Sequence, residues 1–319
     1  MCNRMKRELF EFAGHNGAVL PGYIWQPDGQ VKGVLQITHG MTEHMGRYEA
    51  LAEYLDELGI VVAGFDLRGH GKNAGNDQIA SCGEGGWAAS IEDMRLFFGL
   101  LEERFPQTPH FMLGFSLGSF LLREYLGKYP DGIAGAIIMG TGHQPGWLLG
   151  IMMAVIKGQI KKAGFDGTTD LVRQLSFGTY NQKFKPNRTT ADWLCSDEAE
   201  LDKYLADPLV RKDISAGLFR ELLGSMKRTG NVDSYRRWNK EMPIYLMYGT
   251  KDAVGNFGKG VQQVYNQMKK AGLCDIEFEQ YIDGRHDILH EERSCAETVR
   301  HSIADWLGQL CIDLSLDQR

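Results

Sequence analysis

Short apolar runs rich in β-branched residues alternate with longer amphipathic stretches along most of this chain. VLQITHG is followed by RYEALAEYLDELG, IVVAGFD by WAASIEDMRLFFGLLEERF, and HFMLGF by LGSFLLREYLGKY, and IAGAIIMG closes the series. The short runs read as buried strands and the 3.6-period stretches between them as helices. Strands joined through helices pair in parallel, so the pattern predicts an α/β fold with a mostly parallel central sheet and helices on both faces. Two earlier runs, RELFEFA and VLPGYIWQP, are split by Gly14-His15-Asn16-Gly17. An Asn-Gly pair between alternating runs is a hairpin signal.

The rhythm stops after Gly142. Residues 143–239 hold an apolar run (WLLGIMMAVI), a polar stretch (NQKFKPNRTTADWL) and charge-rich helical segments, with no clear buried strand. It resumes with MPIYLMYG, VQQVYNQMKKAG, IEFEQYI and a last helical stretch, EERSCAETVRHSIADWLGQL. The expected organisation is one core, residues 1–142 and 240–319, interrupted by a helical cap at 143–239. With 319 residues the chain is long enough for a large buried core.

Composition narrows the function classes. The formal charge of −6 argues against a nucleic-acid footprint, which would be basic. MCNRMKRELFEF lacks the apolar centre of a signal peptide, and no apolar run reaches the ~20 residues that span a bilayer. A cytoplasmic protein is expected. Cys2, Cys82, Cys195, Cys274, Cys295 and Cys311 are scattered and form no CxxC. Reduced, mostly buried thiols are therefore expected rather than a disulfide scaffold.

Ser116 stands between Gly114 and Gly118, after an apolar strand and before a helix. That is the setting of a nucleophile elbow, in which flanking glycines remove side chains that would clash in the turn. The bland alternative is a small-residue turn where helix and strand pack closely. A serine hydroxyl needs a base, and the base needs an orienting acid. In such a sheet they follow in the order serine, acid, histidine. Asp252 lies just past the strand MPIYLMYG, and His286 lies on the loop after IEFEQYI. Asp283, on the same loop as His286, is the second candidate acid. An oxyanion needs preorganised donors. The backbone N–H of Leu117 follows the nucleophile, and that of Met41 lies in the turn His39-Gly40-Met41 after an early strand.

Several other patterns read as structural. His39 with His44, and His286 with His290, have no sensibly spaced third ligand, so no metal is expected. Asp66, Arg68 and His70 read as a loop brace. No phosphate loop or dinucleotide fingerprint stands where a strand meets a helix. The run 146–162 is apolar nearly all round, then basic at Lys157, Lys161 and Lys162. It reads as a cap helix that packs on the core while its other face lines an acyl pocket or touches lipid.

THGMTEHMGRY, FDLRGHGKN, GFSLG, GTKDAVGN and DGRHDILHE resemble the successive signatures of the α/β-hydrolase family. Within it they are similar to the monoacylglycerol lipase and lysophospholipase-like serine hydrolases. The likeness covers nearly the whole chain, and NRTTADWLCSDEAELDKYLADPL resembles that group's cap segment. Phe115 stands where the group commonly has histidine, and Met41 occupies the oxyanion turn. The resemblance implies an α/β-hydrolase fold and ester cleavage through an acyl-serine, with Ser116 as nucleophile, Asp252 as acid and His286 as base. Met41 and Leu117 would be the oxyanion donors. Gly40, Phe115, Trp147 and Ile151 are the expected substrate contacts. It implies a small-molecule ester or monoacyl lipid as substrate, with no cofactor, no nucleic acid, and a cap suited to peripheral lipid contact. The alternatives are a short-chain carboxylesterase, an aminopeptidase-like hydrolase, or a non-catalytic binding protein on the same scaffold.

Overall fold

A computed structural model describes residues 5–74 and 78–317. Its centre is an eight-stranded sheet in the order β1 (Lys6–Ala13), β2 (Val19–Gln26), β4 (Ile60–Phe65), β3 (Gly33–Thr38), β5 (His110–Phe115), β6 (Gly135–Met139), β7 (Ile244–Gly249) and β8 (Ile276–Tyr281). β1–β2 and β2–β4 are antiparallel, and the other junctions are parallel. The hairpin turn places Asn16 at φ 56° and Gly17 at φ 75°, the left-handed region that Asn and Gly tolerate.

Every residue of β3 to β7 is buried, which is why these strands read as continuous apolar runs. Their side chains still alternate between two cores. Val34, Val61, Met112 and Ile138 face the side covered by α2 (Gly86–Arg104) and α3 (Leu117–Lys128). Leu35, Val62, Leu113 and Ile137 face the side covered by α1 (Glu49–Asp56) and α8 (Arg293–Asp317).

The stretch between β6 and β7 is mainly helical. It contains α4 (Gly146–Ala163), α5 (Glu198–Ala206) and α6 (Ala216–Thr229), and α7 (Lys259–Lys270) follows β7. It also holds Asp213–Ile214, which pairs with Ile79–Ala80 in a two-stranded ladder too short to leave a sequence pattern. α5 starts where the Asp197 carboxylate accepts the N–H groups of Ala199 and Glu200, and α6 where the Ser215 hydroxyl accepts that of Leu218. α4 packs on α6 and buries Leu149 and Ile156. Its opposite face leaves Trp147 and Ile151 in solvent. Among the described residues, no helix is long and apolar enough to cross a membrane.

The described cysteines are all free, and Cys2 lies outside the described residues. The expectation of mostly buried thiols needs correction, since of those described only Cys195 is buried. The others sit on helix faces or loops that are partly open to solvent.

At Gly118 a Cβ would lie 1.9 Å from the Thr38 carbonyl oxygen, and at Gly114 a Cβ would lie 2.5 Å from the Gly118 carbonyl oxygen. The obstacles are backbone atoms and cannot swing aside. Gly118→Ala should therefore destabilise the fold by about 3 kcal/mol or more, beyond ordinary overpacking. Gly99, inside α2 with nothing near its missing Cβ, is the control. Gly99→Ala should be neutral or stabilise by about 0.5–1 kcal/mol. Chemical denaturation of both variants checks this, and equal effects would contradict the close-approach account.

Candidate active site

Ser116 occupies the N-cap position of α3, where a serine ordinarily accepts an N–H of its own helix. Here it makes no such bond. Its backbone lies at φ 51°, ψ −116°, outside the regions open to most L-residues, and this turns the hydroxyl away from the helix. The strained turn is held by Ser116 N–H donating to the Met139 carbonyl at 3.0 Å and by Ser119, whose N–H and hydroxyl both donate to the Ser116 carbonyl.

The hydroxyl so released lies 2.8 Å from His286 Nε2, and His286 Nδ1 lies 2.9 Å from Asp252 Oδ1. Asp252 and His286 are buried, while Ser116 keeps partial access to solvent. The same Asp252 oxygen accepts Val254 N–H at 2.8 Å. Asp283, the second candidate acid, is turned outward and pairs with Lys251 at 2.9 Å. The structure thus brings Ser116, His286 and Asp252 into one hydrogen-bonded line at the carboxyl ends of β5, β7 and β8, the edge where such sheets bind ligands.

The turn bearing Met41 lies against this line. Gly118 approaches the His39 carbonyl, and Gly40 touches the Phe115 ring. Leu67 N–H donates to His39 Nε2 at 3.0 Å, so the ring proton sits on Nδ1 and donates to the Gly40 carbonyl at 2.7 Å. A trans peptide points its C=O and N–H in opposite directions. Pinning the Gly40 oxygen therefore aims the Met41 N–H the other way. Gly40 N–H donates to Glu43 at 2.5 Å. Leu117, as the first helical residue, has an N–H with no acceptor within its helix.

Sequence reasoning missed the residues around this line. Arg47 bonds both Glu43 and Asp287, and Tyr48 donates to Glu43 at 2.8 Å. Asp287, next to His286, is held well below the usual carboxylate range. Its burial alone would raise it, but His290 and Arg47 outweigh that. His290 faces the Asp287 carboxylate with Nδ1 and the Arg47 carbonyl with Nε2. Trp193 lies over one side of the His286 ring at 5.2 Å and Phe115 lies at 5.1 Å. Leu194 O accepts Asp287 N–H at 2.7 Å, so the inserted stretch is tied to the histidine loop. Glu43, Arg47 and Tyr48 stand within the quoted THGMTEHMGRY motif, which was the available signal. Trp193 stands within the quoted segment NRTTADWLCSDEAELDKYLADPL, but nothing in that pattern says that its ring docks on His286.

The remaining expected contacts fall as follows. Gly40 and Phe115 are buried beside the line, whereas Trp147 and Ile151 are 70% and 57% exposed. A cavity of about 1130 Å³ opens between Thr42 and the inserted stretch, bordered also by Trp193, Tyr204, Phe177 and Arg173. Trp193 borders both this cavity and His286. Neither Trp147 nor Ile151 reaches it. Asp66 accepts bonds from Met45 N–H, Lys72 N–H and Tyr23 O–H, and Arg68 grips Asp93 with two nitrogens. Those residues brace loops, as their pattern predicts. His44 bonds Asp207 at 2.9 Å. Among the described residues, no group of three or more His, Cys, Asp or Glu is placed to hold a metal.

The sheet order, the strained elbow and the serine–histidine–aspartate line are those of an α/β-hydrolase. Residues 29–293 match the serine aminopeptidase S33 family, and the chain belongs to it. It is 26% identical to the human monoglyceride lipase over 95% of this chain and 91% of that protein. It is also 26% identical to a monoacylglycerol lipase of Mycolicibacterium smegmatis over 77% and 79%. Among solved structures, a carboxyl esterase from Bacillus coagulans superposes with a TM-score of 0.86 at 24% identity, covering 97% of this chain and all of that one. A monoacylglycerol lipase from Paleococcus ferrophilus superposes at 0.64 and 20% identity, covering 95% and 99%. The two structural likenesses bear on fold alone.

The buried histidines of the site give it a pH signature. Burial pushes His39 down to about 4, and burial together with the neighbouring His39 pushes His70 down to about 3. In the unfolded chain a histidine titrates near 6.5. Between that value and pH 4 the unfolded state binds more protons, so this stability is fully present above pH 6.5 and is lost as pH falls. Each histidine contributes a slope of about 1.4 kcal/mol per pH unit. Urea unfolding from pH 7 to 4 should show the decline, and His70→Gln should remove about one proton from its slope. An unchanged slope in that variant would contradict the assignment.

Proposed function

We propose that this chain is a serine ester hydrolase that cleaves monoacyl esters of small polar alcohols, monoacylglycerol first among them. The observation that carries the reading is the line Ser116–His286–Asp252, with both hydrogen bonds already formed. His286 Nε2 takes the Ser116 proton as the hydroxyl oxygen attacks the ester carbonyl. Asp252 holds the proton on Nδ1 and stabilises the imidazolium that forms. The N–H groups of Met41 and Leu117 receive the oxyanion, and the dipole at the start of α3 adds to them. His286 then returns the proton to the leaving alkoxide, leaving an acyl-serine. Water repeats the cycle on that ester and restores the serine.

Residues 143–239 serve in this reading as a cap over a core of 1–142 and 240–319. The exposed face of α4, with Trp147, Ile151 and the basic Lys157, Lys161 and Lys162, suits contact with acyl chains or lipid aggregates. The cavity beside Thr42 is lined by both polar side chains, Gln78, Arg173 and Asn181 among them, and apolar ones such as Phe177, Trp193 and Val210, which suits an amphipathic ester. The names of the relatives, which cover most of this chain, favour the same substrate class.

Ser116→Ala or Asp252→Asn should lower kcat by about 10⁴-fold or more with the fold intact. For monoacylglycerols of increasing chain length, kcat/KM should rise by ~4-fold per methylene until the acyl site is full, since each buried methylene contributes about 0.8 kcal/mol. Steady-state kinetics on the series checks this. A flat or falling profile would instead indicate a small ester or amide as substrate.

A further inference from the structure

Thr42 directly follows the oxyanion residue Met41, and it sits at φ 69°. A β-branched residue there is a conformational outlier, and a buried one must be held by its surroundings. The inserted stretch provides the hold at two points. Arg211 N–H donates to the Thr42 carbonyl at 2.8 Å. The Tyr204 hydroxyl lies 2.7 Å from Thr42 Oγ1, which itself donates to the Met41 carbonyl at 2.5 Å. A threonine hydroxyl has one proton. With that proton on the Met41 carbonyl, Tyr204 must be the donor to Thr42. The order of donation is Tyr204 O–H to Thr42 O–H to Met41 C=O.

We propose that the Tyr204 hydroxyl is a positioning group for the oxyanion turn: it holds Thr42 left-handed and fixes the peptide after Met41, while His39 pins the Gly40 carbonyl of the peptide before it, so that Met41 and its N–H are held from both sides. The inference rests on the reading of Met41 N–H as an oxyanion donor. Tyr204 stands on α5, so part of the donor geometry is set from outside the core. Its ring also lies over the Arg47 guanidinium, 4.9 Å from the ring centre, and Arg47 bonds Glu43, which holds Gly40 N–H. The turn is thus gripped at Gly40 through Glu43 and at Thr42 through Tyr204. Burial pushes the Tyr204 phenol up to about 12, so it keeps its donor proton at neutral pH.

The test is a double-mutant cycle on the full chain, with steady-state kinetics on p-nitrophenyl butyrate and a melting curve for each variant. Tyr204→Phe keeps the ring over Arg47 and removes only the hydroxyl. It should lower kcat by about 10-fold, less than the loss of a whole oxyanion donor, and leave KM within ~2-fold. In a Thr42→Gly background the left-handed residue is no longer strained. There the same substitution should cost less than ~2-fold. No loss in the native background overturns the proposal. So does an equal loss in both backgrounds, or a rise in KM alone, since the hydroxyl would then act on Arg47 or on the substrate. A folded Thr42→Gly protein without turnover overturns it too, because relief of the turn's strain would then be no substitute for the hydroxyl. If the native chain shows no Ser116-dependent turnover, the reading of the active site fails first, and the two failures are distinguishable.

Discussion

The first turn of α3 lies directly on the end of β3, with Gly118 against the Thr38 carbonyl. No side chain fits in that gap, and the rest of the site depends on it. The contact places the strained elbow of Ser116 and the first free N–H of α3 beside the turn that carries Met41. A second close approach does the same for the other partners. A Cβ on Gly249, at the end of β7, would meet the Gly284 and Arg285 carbonyls at 2.1 and 2.2 Å. That presses the loop bearing His286 against the loop bearing Asp252, and Lys251 N–H donates to the Gly284 carbonyl at 2.8 Å. Side chains from separate strand ends are held together by backbone against backbone, which leaves little freedom to relax.

Around this frame the inserted stretch is fastened to the loops that carry Thr42 and His286 rather than to the sheet alone. Trp193 covers His286, Leu194 holds Asp287 N–H, Glu291 accepts from Ser196, and Tyr204 reaches Thr42. Arg47 joins these ties, bonded to Glu43 beside the Met41 turn and to Asp287 beside His286. A half-buried cation between two buried carboxylates is costly to disrupt, because losing it leaves uncompensated buried charge. The turn bearing Met41 and the loop bearing His286 are therefore joined through one charged residue, Arg47, and the inserted stretch contacts both.

Much of this was legible in the sequence. The alternation of apolar runs with helices predicted the parallel sheet, because strands buried on both faces lose their period-2 pattern and keep their composition. The positions of Ser116, Asp252 and His286, each just past the carboxyl end of a core strand, predicted their meeting. Contacts that depend on tertiary packing were not legible. Trp193 and Tyr204 lie in stretches whose patterns say nothing of where they dock. Trp147 and Ile151, expected as substrate contacts, sit four apart on one exposed face of α4. Leu149 and Ile156, seven apart, define the face that packs. Periodicity within the run, rather than its bulk hydrophobicity, held that information.

A nucleophile at Ser116 activated by His286 would react covalently with a fluorophosphonate. Intact-mass spectrometry of the chain treated with a fluorophosphonate, followed by peptide mapping, tests it most directly. The expected result is a single adduct on the peptide carrying Ser116, absent in Ser116→Ala and much slower to form in a folded His286→Ala protein. A folded chain that takes up no label, or labelling that survives the loss of Ser116, would contradict it.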